Sequence, residues 1–293
     1  MPRLVPLLPI ITFLLLLLRG ASAWGAMGHE TVAYIASHYA LPATQTYLQT
    51  LLGDTSADYL ASVASWADSY RYTSAGAFSA PYHYVDANDD PPSACGVDLD
   101  RDCGAEGCVV RALQNYTTIL MGQEASGANL AIAAKMIIHF AGDIGQPLHC
   151  EGLEIGGNGI DVKYGDDDTN LHAVWDSDIP ESVSGGSSLS SARSWSAALI
   201  KKIDSGTYKS QAASWISGLS VGTSASQTAT ALRWATESNA YVCSTVLRDG
   251  VDAVENQDVS GAYTTAAQPV VELQIAKQGY RLAKWLDAIV AGM

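Results

Sequence analysis

Histidine and aspartate recur at helical spacing within residues 138–176 of this 293-residue chain. An aspartate stands four residues after each of two histidines, and a third histidine lies between the pairs: His139 and Asp143, His149, His172 and Asp176. Side chains four residues apart share one helical face and can reach a common ion. A single histidine in an apolar helix is more often a satisfied core residue, but two such pairs close together favour a metal site.

Helices must position these pairs, because apolar residues recur with helical periodicity over most of the chain. The helix predicted over residues 128–144 is apolar almost all round, which is typical of a buried helix. Burial of a lone ionisable group is unfavourable, so His139 and Asp143 need partners there. Lys135, four residues before His139, is a conceivable partner besides a metal ion.

Cap residues and periodicity predict the remaining helices. Before residue 128 we expect helices over residues 27–39, 42–53, 56–70 and 109–121. After it, Thr169 or Asn170 caps the helix that carries His172 and Asp176, and further helices follow over residues 192–203, 226–247 and from Pro269 onwards. Residues 74–107 and 182–191 predict irregular segments, and residues 152–165 a turn or hairpin. The chain shows no linker or repeat, so the predicted fold class is all-α, a single mostly helical domain.

The N-terminal residues are typical of a secretory signal peptide. Arg3 precedes an apolar run over residues 7–18, and Ala21, Ser22 and Ala23 form a small-residue cleavage site. The run is shorter than the ~20 residues that a membrane-spanning helix needs, and no later segment is long and apolar enough. We expect residues 1–23 to be removed and residues 24–293 to form one secreted, extracellular domain, monomeric and without a membrane partner.

Charge restricts how such a domain binds its substrate. Loss of Arg3 and Arg19 would leave 14 basic and 30 acidic side chains, a net charge of −16. Such a surface does not attract duplex nucleic acid or anionic lipid through general electrostatics. A polyanionic substrate would therefore have to be bound by local positive charge.

Five cysteines in a secreted chain predict two disulfides and one remaining thiol. Four paired cysteines allow three connectivities, and sequence alone does not choose among them. Cys103 and Cys108 bracket a short glycine-containing loop and could form a local pair. The sequon Asn115-Tyr116-Thr117 predicts N-glycosylation at Asn115.

Candidate metal ligands also occur outside residues 138–176. Five of the six histidines and three aspartates make up the full set: His29, Asp68, His83, His139, Asp143, His149, His172 and Asp176. Zinc binds imidazole and carboxylate, usually with four ligands per ion and one position left to water in catalytic sites. Eight side chains exceed the needs of one ion and indicate two or three. His38 has no carboxylate four residues later, and we interpret it as structural.

The chain contains six specific sequence motifs, five of which hold these residues: Trp24-Gly25-Ala26-Met27-Gly28-His29, Trp66-Ala67-Asp68, Tyr82-His83-Tyr84-Val85-Asp86, HFAGDIGQPLH over residues 139–149, Gly156-Gly157-Asn158, and NLHAVWD over residues 170–176. Together they resemble the zinc-dependent single-strand nucleases of fungi and plants, the S1/P1 nuclease family. The resemblance covers essentially the whole chain from Trp24 onwards, and every expected ligand position is filled. It implies a helical fold shared with zinc-dependent phospholipases C.

The resemblance also implies three zinc ions and their ligands. One zinc would be bound by Asp68, His83, His139 and Asp143. A second, paired with it through Asp143, would use His29 and the α-amino nitrogen and carbonyl oxygen of Trp24. The third would be bound by His149, His172 and Asp176. Because a free amine exists at Trp24 only after cleavage, secretion and metal loading would be coupled.

Roles for the substrate-contacting residues follow from the same resemblance. Asp68 would orient or deprotonate the attacking water, while Arg71 and Asn158 would contact the scissile phosphate. Arginine suits a phosphate because its planar guanidinium presents a fork of donors. Tyr84 would stack on an unpaired base and Asp86 would accept from the edge of that base, which selects single strands. The family usually has phenylalanine where Tyr84 stands, which leaves stacking intact and base preference open.

The implied activity is that of a secreted hydrolase, an endonuclease that cleaves single-stranded DNA and RNA to 5′-phosphorylated products, with 3′-nucleotides as further substrates through a 3′-nucleotidase activity. The family also implies the disulfides Cys95 to Cys243 and Cys103 to Cys108. Cys150 then remains as a thiol, either inert or a competing zinc ligand.

Two other functions stay open. A zinc phospholipase C of the same fold class has a similar N-terminal tryptophan and metal set, but Arg71, Tyr84 and Asp86 suit a nucleotide better than a lipid headgroup. A non-catalytic metal-binding protein would not need these three residues in addition to the ligands.

Overall fold

Helices form at most of the places where apolar periodicity predicts them. The computed structural model describes residues 24–122 and 126–293, and the predicted signal peptide, residues 1–23, lies outside the described residues. The fold is mostly helical with one small hairpin, as expected for a mostly helical domain. In the part of the chain that the structure describes, no helix is long and apolar enough to cross a membrane.

Between Trp24 and Asp143, the described residues form six α-helices and two 3-10 segments. In order they are α1 (Ala26–Tyr39), α2 (Pro42–Leu52), a 3-10 turn (Ala61–Val63), α3 (Trp66–Tyr70), a 3-10 helix (Ala77–His83), α4 (Leu99–Asp102), α5 (Val109–Gly122) and α6 (Gly127–Asp143). Helix α2 begins at a proline and ends at Gly53, whose left-handed conformation (φ 69°) is the usual helix terminator.

The second half begins with the 3-10 turn Pro147–Cys150 and an antiparallel hairpin, β1 (Asp161–Tyr164) and β2 (Asp167–Asn170), in which Asp161 pairs with Asn170. The hairpin lies within and just after the segment where a turn or hairpin is predicted. The remaining elements are α7 (Leu171–Ala173), a π-helical turn (Val174–Asp178), α8 (Ile179–Ser184), α9 (Leu189–Asp204), α10 (Ala212–Trp215), α11 (Ser224–Tyr241), a second π-turn (Val242–Val246), a 3-10 turn (Val251–Ala253) and α12 (Ala262–Ala291).

The core forms where α1 packs along α12 and α9, and where α5 packs against α6 and α11. A Cβ atom at Gly279 of α12 would lie 2.5 Å from Cβ of Ile35 on α1. The two helices can therefore approach this closely only because residue 279 has no side chain. Trp24 is fully buried directly before α1, so the start of the predicted mature chain belongs to the core.

Two helix boundaries were predicted wrongly. The helix expected over residues 56–70 is instead a 3-10 turn followed by the short α3. Side chains compete with the helical hydrogen bonds there, because Asp54 accepts from the Ser56 amide at 2.8 Å and Ser56 from the Asp58 amide at 3.2 Å. Helix α12 starts seven residues before Pro269. The hydrogen bond that this proline removes is outweighed by the long buried face that follows it.

The helix predicted to carry His172 and Asp176 is also irregular. Asn170 caps it through a 2.8 Å hydrogen bond from the Ala173 amide, as expected, but the segment turns from α7 into a π-turn at Val174. Such single π-turns are frequent at functional sites.

Both disulfides implied by the resemblance are present. Cys95 is bonded to Cys243 and Cys103 to Cys108. Cys150 is a buried free thiol whose Sγ lies 3.7 Å from the Ile144 carbonyl oxygen, and burial raises its pKa. A thiol that resists ionisation is a poor zinc ligand, which favours the inert alternative.

Removal of the two disulfides should destabilise the fold unequally. Cys95 and Cys243 are 148 residues apart, whereas Cys103 and Cys108 are 5 apart. In the chain-entropy account, the longer loop contributes about 5 kcal/mol and the shorter about 2 kcal/mol. Urea unfolding of the two double serine variants should show this difference. Equal losses would contradict it.

Candidate metal centre

Helices from distant parts of the sequence bring the first ligand cluster together. His29 projects from α1, Asp68 from α3, His83 from the end of the 3-10 helix, and His139 and Asp143 from α6. The three histidines and Asp143 are buried, and the Asp68 side chain is 13% exposed. Five predicted ligands therefore meet in one place.

The ligand atoms of this cluster lie at the spacing of a coordination shell. Asp143 Oδ2 is 3.1 Å from Nδ1 of His83 and 3.3 Å from Nε2 of His139, and these two nitrogens are 3.0 Å apart. Tetrahedral zinc with bonds of about 2.0 Å requires ligand atoms about 3.3 Å apart. Asp68 Oδ1 completes the group at 3.5 Å from His139 Nε2.

Asp143 faces two sides at once. While Oδ2 is directed at His83 and His139, Oδ1 lies 3.1 Å from Nε2 of His29. Among the described residues, neither oxygen of Asp143 has a hydrogen-bond partner. The two ring nitrogens of His29 also lack one there. Burial raises the pKa of Asp143 well above its usual range, so this carboxylate stays ionised only beside positive charge. A carboxylate bridging two cations fits these observations.

The second cluster is smaller and consists of His149, His172 and Asp176. Nε2 of His149 and Nε2 of His172 are 3.0 Å apart, and Asp176 Oδ2 is 3.1 Å from Nε2 of His172. All three residues are buried. His172 and Asp176 keep their spacing of four residues through the irregular helix, so they still share one face.

Backbone carbonyls fix the orientation of the imidazoles. Nδ1 of His139 lies 2.7 Å from the Ala64 oxygen, Nδ1 of His149 2.8 Å from the His83 oxygen, and Nδ1 of His172 2.6 Å from the Gly156 oxygen. A carbonyl only accepts, so each Nδ1 carries a proton, and in its neutral form each ring presents a lone pair at Nε2. The Nε2 atoms of His149 and His172 face each other at 3.0 Å, so a proton or a metal ion must lie between them.

The electrostatic surroundings shift the pKa values of His139 and His149 in opposite directions. Burial disfavours the charged form of His139, but the carboxylates of Asp143 and Asp68 outweigh it and raise the pKa to about 9. Burial lowers the pKa of His149 to about 4, against the opposing charge of Asp176. The first cluster therefore attracts positive charge strongly, and His149 is a neutral ligand at ordinary pH.

A cleft of about 310 Å³ opens beside the second cluster. Its lining includes the two histidines of that cluster and the four residues predicted to contact substrate: His149, His172, Arg71, Tyr84, Asp86 and Asn158. Tyr84 is 38% exposed, so its ring is accessible from solvent. The Arg71 guanidinium also lies 3.9 Å from Asp68 Oδ1, which links the cleft to the first cluster.

Other predicted roles can be compared with the structure. Lys135 is not a partner of His139, because its ammonium group lies 4.8 Å from the centre of the Trp66 ring. His38 is half-exposed and 3.9 Å from Asp204, away from the ligand clusters. Gly25, next to Trp24, donates its amide to the Asp176 carbonyl oxygen at 2.7 Å. The N-terminal segment thus lies against the second cluster.

Sequence reasoning missed three contributors to the site. Gln146 donates to Asp176 at 2.7 Å, and Ile155, 77% exposed with a φ of 58°, lines the cleft. Gly142 lies beside His29, and a Cβ atom there would be 2.7 Å from the His29 Nδ1. Position inside the ligand-bearing motif was the available signal for Gln146 and Gly142. No sequence signal marked Ile155.

Substitution of Gly142 by alanine should reduce metal binding. The added methyl group would displace the His29 ring, so we expect one zinc ion fewer per chain by elemental analysis, with the helix itself retained in circular dichroism. Gly127→Ala is the matched control on the same helix, because among the described residues no atom beyond its chain neighbours and the helix's own nearby backbone lies within 4 Å of its Cβ position. Full zinc content in Gly142→Ala would refute the placement of His29.

The comparisons with known proteins agree with this geometry. The family model described as S1/P1 Nuclease matches residues 24–291. Nuclease S1 of Aspergillus oryzae is 50% identical over 291 residues, with 99% of each chain covered. Nuclease P1 of Penicillium citrinum is 46% identical over 266 residues, covering 91% of this chain and 97% of its own. Endonuclease 3 of Arabidopsis thaliana is 33% identical over 289 residues, covering 96% and 94%. With a family match across nearly the whole described chain and both ligand clusters in place, the protein belongs to the S1/P1 nuclease family.

Proposed function

We propose that this protein is a zinc-dependent endonuclease that hydrolyses phosphodiester bonds of single-stranded DNA and RNA to 5′-phosphorylated products, with 3′-nucleotidase activity on 3′-nucleotides. The observation that carries this proposal is the cleft, which is lined by Arg71, Tyr84, Asp86 and Asn158 together with His149 and His172. Groups suited to a phosphate, a base and a metal ion are therefore contiguous.

Three zinc ions fit the two clusters. Asp68, His83, His139 and Asp143 would bind one ion, and His29 with the backbone of Trp24 would bind a second that shares Asp143. His149, His172 and Asp176 would bind the third. Bound zinc supplies positive charge to the phosphate and lowers the pKa of a bound water toward about 7. The side chains of the protein position the substrate and its proton acceptor.

In this proposal Asp68 holds and deprotonates the attacking water. Its Oδ1 lies 3.5 Å from Nε2 of His139 and 3.7 Å from Nδ1 of His83, so it borders the first cluster. The neighbouring imidazoles hold the pKa of this carboxyl far below its usual range despite burial, which keeps it an acceptor. Arg71, one helical turn further, presents its guanidinium to the phosphate from the cleft side.

Tyr84 and Asp86, which line the same cleft, account for base recognition in this proposal. The exposed ring of Tyr84 offers a face for stacking, which every base can use. The carboxylate of Asp86 can accept a hydrogen bond from a base edge. Both interactions need an unpaired, unstacked base, so duplex substrates are disfavoured.

Local charge explains how an acidic protein binds a polyanion. Three zinc ions together with the three ligating aspartates leave a local charge of about +3, before any bound hydroxide is counted. A phosphodiester is attracted there even though the mature chain would carry −16 overall.

Maturation belongs to the same proposal. Cleavage after Ala23 would create the free amine of Trp24, and the mature unit would be one secreted domain of residues 24–293 acting as a monomer. Asn115 is exposed on α5, where a glycan would project into solvent.

Hydrolysis assays test the activity directly. We expect rapid cleavage of single-stranded DNA, much slower cleavage of the matching duplex, and loss of both with a chelator until zinc is restored. Phosphatidylcholine vesicles serve as the alternative substrate. Lipid cleavage without DNA cleavage would replace the nuclease proposal with the phospholipase alternative.

Replacement of the cleft aromatic separates stacking from chemistry. Tyr84→Ala should raise KM for single-stranded DNA by about 5- to 150-fold, since base stacking contributes about 1–3 kcal/mol, while Tyr84→Phe should remain near wild type. The measurement is steady-state hydrolysis of a short single strand. An unchanged KM in Tyr84→Ala would show that no base stacks there.

A further inference from the structure

Gln146 occupies the turn between the two ligand clusters. It follows α6, is fully buried, and precedes the 3-10 turn that carries His149. Its backbone amide donates to the Asp143 carbonyl oxygen at 2.9 Å, and its backbone carbonyl accepts from the His149 amide at 3.1 Å. The main chain of one residue is thus bonded to a ligand residue of each cluster.

The side chain of Gln146 makes two further contacts with opposite polarity. Nε2 donates to Asp176 Oδ1 at 2.7 Å, and Oε1 accepts from the Leu148 amide at 2.6 Å. The carboxamide of Gln146 provides a donor and an acceptor together on one side chain. A glutamate would keep the acceptor but place a second carboxylate against Asp176, and an apolar residue would lose both bonds.

These contacts give the two oxygens of the Asp176 carboxylate different partners. Oδ1 is occupied by Gln146, whereas Oδ2 is the oxygen that lies 3.1 Å from Nε2 of His172. The Asp176 carbonyl is meanwhile bonded to the Gly25 amide. The residue is therefore fixed through its backbone by the N-terminal segment and through its side chain by Gln146.

We infer that Gln146 is a positioning residue that presents Asp176 to the third zinc ion and fixes the turn leading to His149. The inference rests on the proposed ligand set His149, His172 and Asp176. Groups that orient metal ligands through hydrogen bonds typically contribute 10–100-fold to metal affinity. Without the amide, Asp176 Oδ1 would lose its hydrogen bond and the carboxylate would be held less firmly, while the Leu148 amide in the neighbouring turn would lose its acceptor.

The test is Gln146→Met in the mature full-length protein, because methionine keeps the length of the side chain and removes both hydrogen bonds. Chelator competition should show one zinc ion bound 10–100-fold more weakly and the other two unchanged. Hydrolysis of single-stranded DNA should fall at limiting zinc and recover at excess zinc.

Gln227→Met is the matched control. Gln227 is also buried and also uses both ends of its amide, donating to the Val221 carbonyl at 2.8 Å and accepting from Thr118 at 3.0 Å, but it contacts no ligand. The Gln227→Met substitution should lower the free energy of unfolding in urea without changing zinc affinity. Equal zinc affinities in the two variants would overturn the role of Gln146.

Asp176→Asn distinguishes failure of the inference from failure of the function. If that variant keeps the full zinc content, the ligand set itself is wrong. If it loses one zinc ion while Gln146→Met binds zinc like the wild type, only the positioning role is wrong.

Discussion

A carboxylate buried among imidazoles is the constraint on which this structure depends. Asp143 lies within 3.3 Å of nitrogens from His29, His83 and His139, and none of these four side chains is accessible to solvent. Charge buried in this way is stable only with compensating charge nearby. The fold therefore surrounds a place for cations, and the helices around it are arranged so that ligands from separate elements converge.

Small residues and backbone carbonyls make that convergence possible. Gly142 leaves room for His29 to approach α6, and the carbonyl of Gly156 orients His172. The same segments also build the cleft, since Gly156 lines it together with Asn158. The residues proposed to bind metal and substrate thus lie on one set of loops, and Gln146 connects the two clusters through hydrogen bonds of its main chain and side chain.

The site also explains how a chain with an acidic composition can bind a polyanionic substrate. An excess of acidic side chains keeps polyanions away from most of the surface. Arg71 and the exposed ring of Tyr84 line the cleft beside the ligand clusters. The zinc ions that we propose would concentrate positive charge at that place. In the recognition that we propose, one unpaired nucleotide enters the cleft, and this local interaction needs no basic surface.

The sequence by itself determined the chemistry: the ligand types, their spacing of four residues at His139 and His172, the helical class and the family motifs. It also predicted most helices, because apolar periodicity is a local signal. Tertiary structure decided what local signals do not contain. The short turns before α3, the early start of α12 and the π-turn at Val174 arise from side-chain competition and packing. The role of Gln146 and the exposure of Ile155 appear only when segments distant in sequence meet, since burial and hydrogen-bond partners are properties of the assembled fold.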